Sequence, residues 1–166
     1  MVNCRHINTR LNYEGIPRYY TEEFSHCYGC GRLNEHGLHL KSYWLDNDPA
    51  SDTAIAHYTP PEYASGGYPQ NVYGGLIAAL LDCHGNGTAS AAGYRHFSRD
   101  MGSLPSLRYV TAHLELDYLA PTPMGCSLEL RATIQEVTDR KVVMHLELWA
   151  EQQLRVRGRM VSVLLR

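Results

Sequence analysis

Asp82 follows directly on six apolar residues, Leu76-Ile77-Ala78-Ala79-Leu80-Leu81. A carboxylate on a helix buried by such a run costs several kcal/mol unless it is paired, hydrogen-bonded or protonated. Eight residues upstream, Gly74-Gly75 open the same segment. The first free N–H groups of a helix beginning there and the Asp82 side chain fall on one face, about 12 Å apart along the axis. Two glycines let a ligand approach the backbone, and the helix dipole favours negative charge developing on a bound oxygen. This pattern reads as an oxyanion site with an acid or base near by. A carboxylate bonded to loop backbone and a plain tight turn at Gly74-Gly75 fit the same residues, and the spacing does not separate the two readings.

Other residue groups suggest other chemistry. His26, Cys27, Cys30, His36 and His39 lie close together and all are zinc-ligand types. A structural zinc is the less favoured reading, because the gap from Cys30 to His36 is short for a finger and the second Cys-x-x-Cys of a strong zinc signal is missing. Free cysteines in a turn, and no metal, are expected. Arg155, Arg157 and Arg159 alternate along one segment, so on a strand they share a face as a basic stripe about 13 Å long. A solvated face and a phosphate contact aided by Arg140 or Lys141 both fit. His84 and His113 read as hydrogen-bonded structural histidines rather than bases. Thr88 and Ser90 could orient a water.

These residues need elements to hold them. Val110, Ala112, Leu114, Leu116 and Tyr118 alternate with Thr111, His113, Glu115 and Asp117, the period of a half-buried strand. Three further alternating runs occupy 128–134, 142–148 and 156–164, joined by short connections at 138–140 and 151–153, which predicts an antiparallel meander. Leu38 to Leu45 and Thr53 to Tyr58 read as two more strands. Gly74 to about Ala92 is the long helix, apolar nearly all round and therefore buried. Its Gly-rich stretch from His84 to Thr88 implies either a kink or close packing. Residues 97–107 read as an exposed loop.

Composition limits the classes available. The 166 residues suit one domain. Fifteen basic against seventeen acidic residues leave no global field for nucleic acid or an anionic membrane. No apolar stretch reaches the roughly 18 residues of a membrane span, and the first residues do not read as a signal peptide. Five scattered cysteines suit a reducing compartment, so a cytoplasmic protein is expected. Twelve tyrosines against two phenylalanines suggest polar-tipped aromatics at a pocket rim.

The segment Tyr68-Pro69-Gln70-Asn71-Val72-Tyr73-Gly74-Gly75-Leu76-Ile77-Ala78-Ala79-Leu80-Leu81-Asp82 resembles the His-Gly-Gly motif and catalytic aspartate of hot-dog-fold acyl-CoA thioesterases of the phenylacetyl-CoA thioesterase type. Upstream, Cys27-Tyr28-Gly29-Cys30-Gly31-Arg32-Leu33-Asn34-Glu35-His36-Gly37-Leu38 is similar to a Cys-x-x-Cys-Gly-x-x-Asn-x-x-Gly-Leu lead-in of many bacterial members. Asp117-Tyr118-Leu119-Ala120-Pro121 matches a strand end, and the resemblance runs from about Cys27 to Arg166. It implies an α+β hot-dog fold, a long central helix packed against a curved, mainly antiparallel sheet, over 26–166, with 1–25 as an N-terminal extension. It also implies a homodimer or homotetramer that hydrolyses acyl-CoA thioesters without a cofactor. By position, Gly74 supplies the oxyanion amide and Asp82 the nucleophile or general base. Asn71 and Gly75 line the substrate, and Arg155, Arg157 and Arg159 meet the CoA phosphates. Tyr73 replaces the motif histidine, and Gly67 falls where some members keep a water-positioning asparagine. A non-catalytic protein that binds acyl-CoA or a small aromatic ligand is the alternative.

Overall fold

Six strands and one long helix dominate residues 15–165, the part of the chain that this computed structural model describes. Cys4 and the first half of the expected N-terminal extension lie outside the described residues. The strands are β1 Ser42–Trp44, β2 Thr53–Tyr58, β3 Tyr109–Tyr118, β4 Leu128–Val137, β5 Lys141–Ala150 and β6 Gln153–Leu164, and the helix is α1 Gly74–His96. They form one open sheet in the order β1-β2-β4-β5-β6-β3, antiparallel at every step, with α1 packed on one face. This is the hot-dog arrangement that the resemblance implies.

β4, β5 and β6 make the predicted meander. β3 does not join its sequence neighbour β4 but closes against β6 at the far edge. The segment between β3 and β4 instead ties down the approach to the helix: Val72 N–H donates to Thr122 O over 2.9 Å, and Met124 N–H to Gln70 O over 2.8 Å. The first strand is shorter than its apolar alternation predicts. His39 takes a positive φ of 52°, which breaks the extended run, and the N–H groups of Leu38 and Leu40 donate to Tyr28 O and Gly29 O instead of to a strand. Beyond Trp44 the chain turns through Asp46 and Asn47, both at positive φ.

The helix and sheet meet through alternating side chains. Leu128 and Leu130 of β4, Met144, Leu146 and Leu148 of β5, and Val156 and Met160 of β6 are fully buried, and they share one core with Ile77, Leu80 and Leu81 of α1. Each such leucine contributes about 1.5–3 kcal/mol through the apolar surface it removes from water. The Gly-rich part of α1 is continuous helix, so close packing rather than a kink explains its composition. A Cβ on Gly85 would overlap the Met160 sulfur, and one on Gly93 would stand 2.6 Å from the Tyr109 ring. The helix also outlasts the predicted end, running to His96. Ahead of the sheet, a 3-10 turn at Ile16–Tyr19 packs against α1 and β1, with Ile16 buried and Tyr20 against the core. Among the described residues, no helix is long and apolar enough to cross a membrane.

His84 fastens α1 to the first two strands. Fully buried, it meets Ser42 Oγ at 2.8 Å through Nδ1 and Ala54 O at 3.2 Å through Nε2. The carbonyl can only accept, so Nε2 carries the proton and Nδ1 accepts from the serine. Burial lowers the His84 pKa from 6.5 to about 4, against the weaker opposing effect of the Ala54 carbonyl. As pH falls below 6.5 the unfolded chain therefore takes up this proton first. The neutral-histidine contribution is complete above pH 6.5 and is lost down to about pH 4. This amounts to on the order of 3 kcal/mol. Urea unfolding at a series of pH values should show wild-type stability falling through that window, with His84→Gln less stable at neutral pH and flatter by a comparable amount. An unchanged slope in the variant assigns the acid sensitivity elsewhere.

Candidate active site

α1 presents Asp82 and Asn86, one turn apart, to β3. The Thr111 hydroxyl donates to Asp82 Oδ1, Asn86 Nδ2 donates to Thr111 Oγ1 over 2.7 Å, and Ser162 Oγ donates to Asn86 Oδ1 over 3.0 Å. The chain of donors has one direction. Because the amide N–H donates to the threonine oxygen, the threonine proton is left for Asp82 Oδ1, which accepts it. The chain starts at Ser162, fully buried, and ends at the half-buried Asp82. No described residue donates to Asp82 Oδ2, so that oxygen is available for a water or a substrate.

A bulge puts Thr111 in place. Across the β3–β6 pair, Thr111 faces Ser162 and His113 faces Val161, leaving Ala112 as an extra residue. Before the bulge, Tyr109 and Thr111 point to α1; after it, Leu114 and Leu116 do. Strict alternation puts Thr111 on the face opposite Leu114, and the extra residue reverses that phase.

The start of the helix is the second feature. Tyr73 O accepts from the N–H groups of Leu76 and Ile77 at 3.0 and 3.2 Å, while those of Gly74 and Gly75 have no partner among the described residues. Tyr73 is the N-cap residue, and its exposed ring lies across Gly75: a Cβ there would stand 2.5 Å from Tyr73 Cζ and 2.7 Å from its hydroxyl. A side chain at this position would have to push the exposed ring aside. From β3, the Tyr118 hydroxyl donates to Gly74 O over 2.7 Å. Burial, then the neighbouring Tyr73, pushes the Tyr118 pKa up.

A sequence model described as the thioesterase superfamily matches residues 69–157, which span the helix start, Asp82, Thr111 and the arginine stripe as far as Arg157. The chain belongs to the thioesterase superfamily. A thioesterase superfamily protein from Shewanella loihica PV-4 is 44% identical, with 89% of this chain and 100% of that one covered and a TM-score of 0.65. Two more distant structures share the fold. The E. coli PaaI protein from the phenylacetic acid degradation operon is 19% identical over 70% of this chain and 75% of that one, TM-score 0.58. A Streptococcus mutans UA159 protein, smu.793, bound to acetyl-CoA is 13% identical over 76% and 86%, TM-score 0.59. Comparison with curated proteins finds no match.

The remaining expected residues of this thioesterase-superfamily chain are dispersed. Asn71 shapes the approach to α1: its N–H donates to Tyr68 O over 2.9 Å and its carbonyl accepts from Gly66 N–H over 2.8 Å. Gly67 is exposed, with open space where a Cβ would be. Arg157 and Arg159 project from the sheet face opposite α1, because Val156 and Met160 on either side of them face the core, whereas Arg155 is the extra residue of a bulge where Leu148 pairs with Val156 and Trp149 with Leu154. Arg157 Nε donates to Asp117 Oδ2 over 3.1 Å, Arg155 pairs with Glu151 at 3.5 Å, and Arg159 sits in register with Glu115 and His145. The stripe is thus interleaved with carboxylates and separated from Asp82 by the sheet. His113 faces Glu115 at 3.5 Å. Thr88 and Ser90 are buried and donate to His84 O and Leu107 O, which removes them as water-orienting groups.

Sequence reasoning missed Thr111, Asn86, Ser162 and Tyr118. Asn86 had a signal, four residues after Asp82 on the same helical face. It missed Cys83 as well. The sulfurs of Cys27, Cys30 and Cys83 lie within 4.8 Å of one another, the set of described residues best arranged to hold a metal ion. The neighbouring Cys30 and Cys83 thiols hold the Cys27 pKa well below the usual thiol range, while the proximity of Cys27 pushes Cys30 up to about 12.

The Tyr73 ring makes a direct test of the helix start. Gly75→Ala should cost no more than about 1 kcal/mol, since the ring it drives off the first turn is the exposed, free end of Tyr73. In a Tyr73→Ala background the same change should cost little, as chemical unfolding of the four variants in a double-mutant cycle will measure. Additive costs would mean that the ring does not rest on Gly75.

Proposed function

We propose that this chain hydrolyses an acyl-CoA thioester to free acid and CoA. The observation that carries the reading is a carboxylate on a buried helix, Asp82, oriented by a one-way hydrogen-bond chain and left with one open oxygen. Superfamily membership and the acetyl-CoA bound by a fold relative agree with it.

In this mechanism Asp82 Oδ2 takes a proton from water while the water oxygen adds to the thioester carbonyl carbon. The carbonyl oxygen becomes an oxyanion and accepts from the unpartnered N–H groups of Gly74 and Gly75, where the helix dipole also stabilises it. Collapse breaks the C–S bond, and the thiolate leaves and is protonated. Thr111 holds the carboxylate in one rotamer, so its hydroxyl positions the base rather than touching substrate. Attack by Oδ2 itself, through an anhydride that water then opens, uses the same groups.

Gly74 and Asp82 of one chain are about 12 Å apart along the helix, whereas base and oxyanion donors must both reach one carbonyl within about 3 Å. Two copies resolve this. β3 runs antiparallel to α1, from Tyr109 beside Gly93, past Thr111 beside Asp82, to Tyr118 at Gly74. It is a ten-residue edge strand with Thr111, Ala112 and His113 exposed. Antiparallel pairing of β3 with the same strand of a second copy carries the helix start of one toward Asp82 of the other and covers both edges. The exposed rings of Tyr63, Tyr68 and Tyr73 then border the acyl group.

Thiol release from a panel of aliphatic and aromatic acyl-CoA esters tests the chemistry. Asp82→Asn should lower kcat at least about a hundredfold with the fold intact, and Thr111→Val about tenfold or more. A near-normal rate in Asp82→Asn makes Asp82 structural, and no release from any ester favours a binding protein. Light scattering at micromolar concentration should show a dimer or tetramer, and a stable active monomer would overturn the shared site.

A further inference from the structure

Three thiols from two distant parts of the chain meet beside Asp82. Cys27 and Cys30 come from the loop ahead of β1, and Cys83 from α1. Cys27 is exposed, whereas Cys30 and Cys83 are buried. The Cys27 and Cys83 sulfurs are 3.9 Å apart, and all three fall within 4.8 Å. A tetrahedral zinc with Zn–S bonds of about 2.3 Å separates its sulfurs by about 3.8 Å. A disulfide instead requires about 2.05 Å between two of them and strands the third.

The loop is shaped to bring these sulfurs together. Gly31 N–H donates to Cys27 O over 2.8 Å, closing the Cys-x-x-Cys turn. A Cβ on Gly29 would stand 2.5 Å from Cys83 Sγ, and one on Gly31 would stand 2.5 Å from Cys27 N and from Ser25 O. Glycine at both positions lets the turn press onto the helix.

A compensating charge is in place too. The Arg108 guanidinium interacts with Cys30 and lies 4.1 Å over the Phe24 ring and 5.4 Å over the Tyr20 ring. Its Nε is buried without a hydrogen bond, and it has no carboxylate partner among the described residues. Zn²⁺ held by three thiolates carries one negative charge, which this cation offsets.

We infer that Cys27, Cys30 and Cys83 form a zinc site that clasps the N-terminal loop to α1 one residue from Asp82. Soft sulfur donors select zinc over hard cations, and the fourth position opens to water on the side of exposed Cys27. Binding replaces thiol protons by metal and releases them to solvent. The ligand that sequence reasoning lacked is Cys83, far along the chain from the Cys-x-x-Cys turn.

Cobalt titration of the full, reduced, metal-free chain tests this without reference to thioester hydrolysis. One equivalent of Co²⁺ should produce thiolate-to-cobalt charge-transfer bands, and Zn²⁺ should abolish them while raising Tm by about 5 °C. Cys27→Ser, Cys30→Ser and Cys83→Ser should each weaken cobalt binding more than about a hundredfold. Cys126→Ser should leave it unchanged. Because Cys27 is exposed, its variant keeps the assay readable if the buried variants fail to fold. The absence of a charge-transfer band in the wild-type chain, binding that survives Cys27→Ser, or a Cys27–Cys83 disulfide in protein isolated without oxidant would each overturn the proposal.

Discussion

α1 has no polar face, and that constraint orders the rest of the molecule. A helix apolar on nearly every side has to be covered on nearly every side. The sheet supplies most of the cover through Leu128, Leu130, Leu146 and Leu148, and the residues ahead of β1 supply more through Ile16, Tyr20 and Leu40. The few polar groups that α1 carries inward must then find partners there. His84 finds Ser42 and Ala54, Thr88 finds the His84 carbonyl, and Asp82 finds Thr111. Each bond satisfies a group that burial would otherwise penalise by about 1–3 kcal/mol. Together they fix which face of the helix meets which strand. The carboxylate suited to chemistry is therefore held by the same requirement that fixes the fold.

Much of this was legible in the sequence because it rests on periodicity. The meander β4-β5-β6 follows from alternation and short connections, and the buried helix from its unbroken apolar run. β3 was legible as a strand but not in its place, because strand order depends on a linker that bonds to Gln70 and Val72 rather than on any pattern within β3. β1 was overestimated because Leu38 and Leu40 are apolar for another reason: they sit against the cysteine turn, with their N–H groups bonded to it. The Gly-rich stretch left two readings open, and the neighbours of Gly85 and Gly93, set by the sheet, decide for packing.

The candidate site divides along the same line. Asp82 and Gly74 declared themselves through local context, a charge in an apolar run and a glycine pair at its start. Thr111 did not, since a hydroxyl on an alternating strand carries no sign that the strand is about to gain a residue. Ser162 was hidden for a similar reason, as one small polar residue on a long strand. Arg157 and Arg159 keep the alternation expected of a strand, but the bulge at Arg155 interrupts it, and one strand's sequence carries no sign of that. What one strand cannot reveal is that its neighbours place Asp117, Glu115 and Glu147 among them.

The extra residue Ala112 changes what kind of genetic event the site is sensitive to. Most single substitutions in β3 alter one side chain and leave the others facing as they were. Deleting one residue at position 112 would instead restore plain alternation, turning either Thr111 or the whole Leu114 to Tyr118 half to the opposite face. Strand length is thus part of the site's specification. Among relatives of this chain, a gap of one column in β3 would then mark a rearranged candidate site even where Asp82, Asn86 and the threonine all persist.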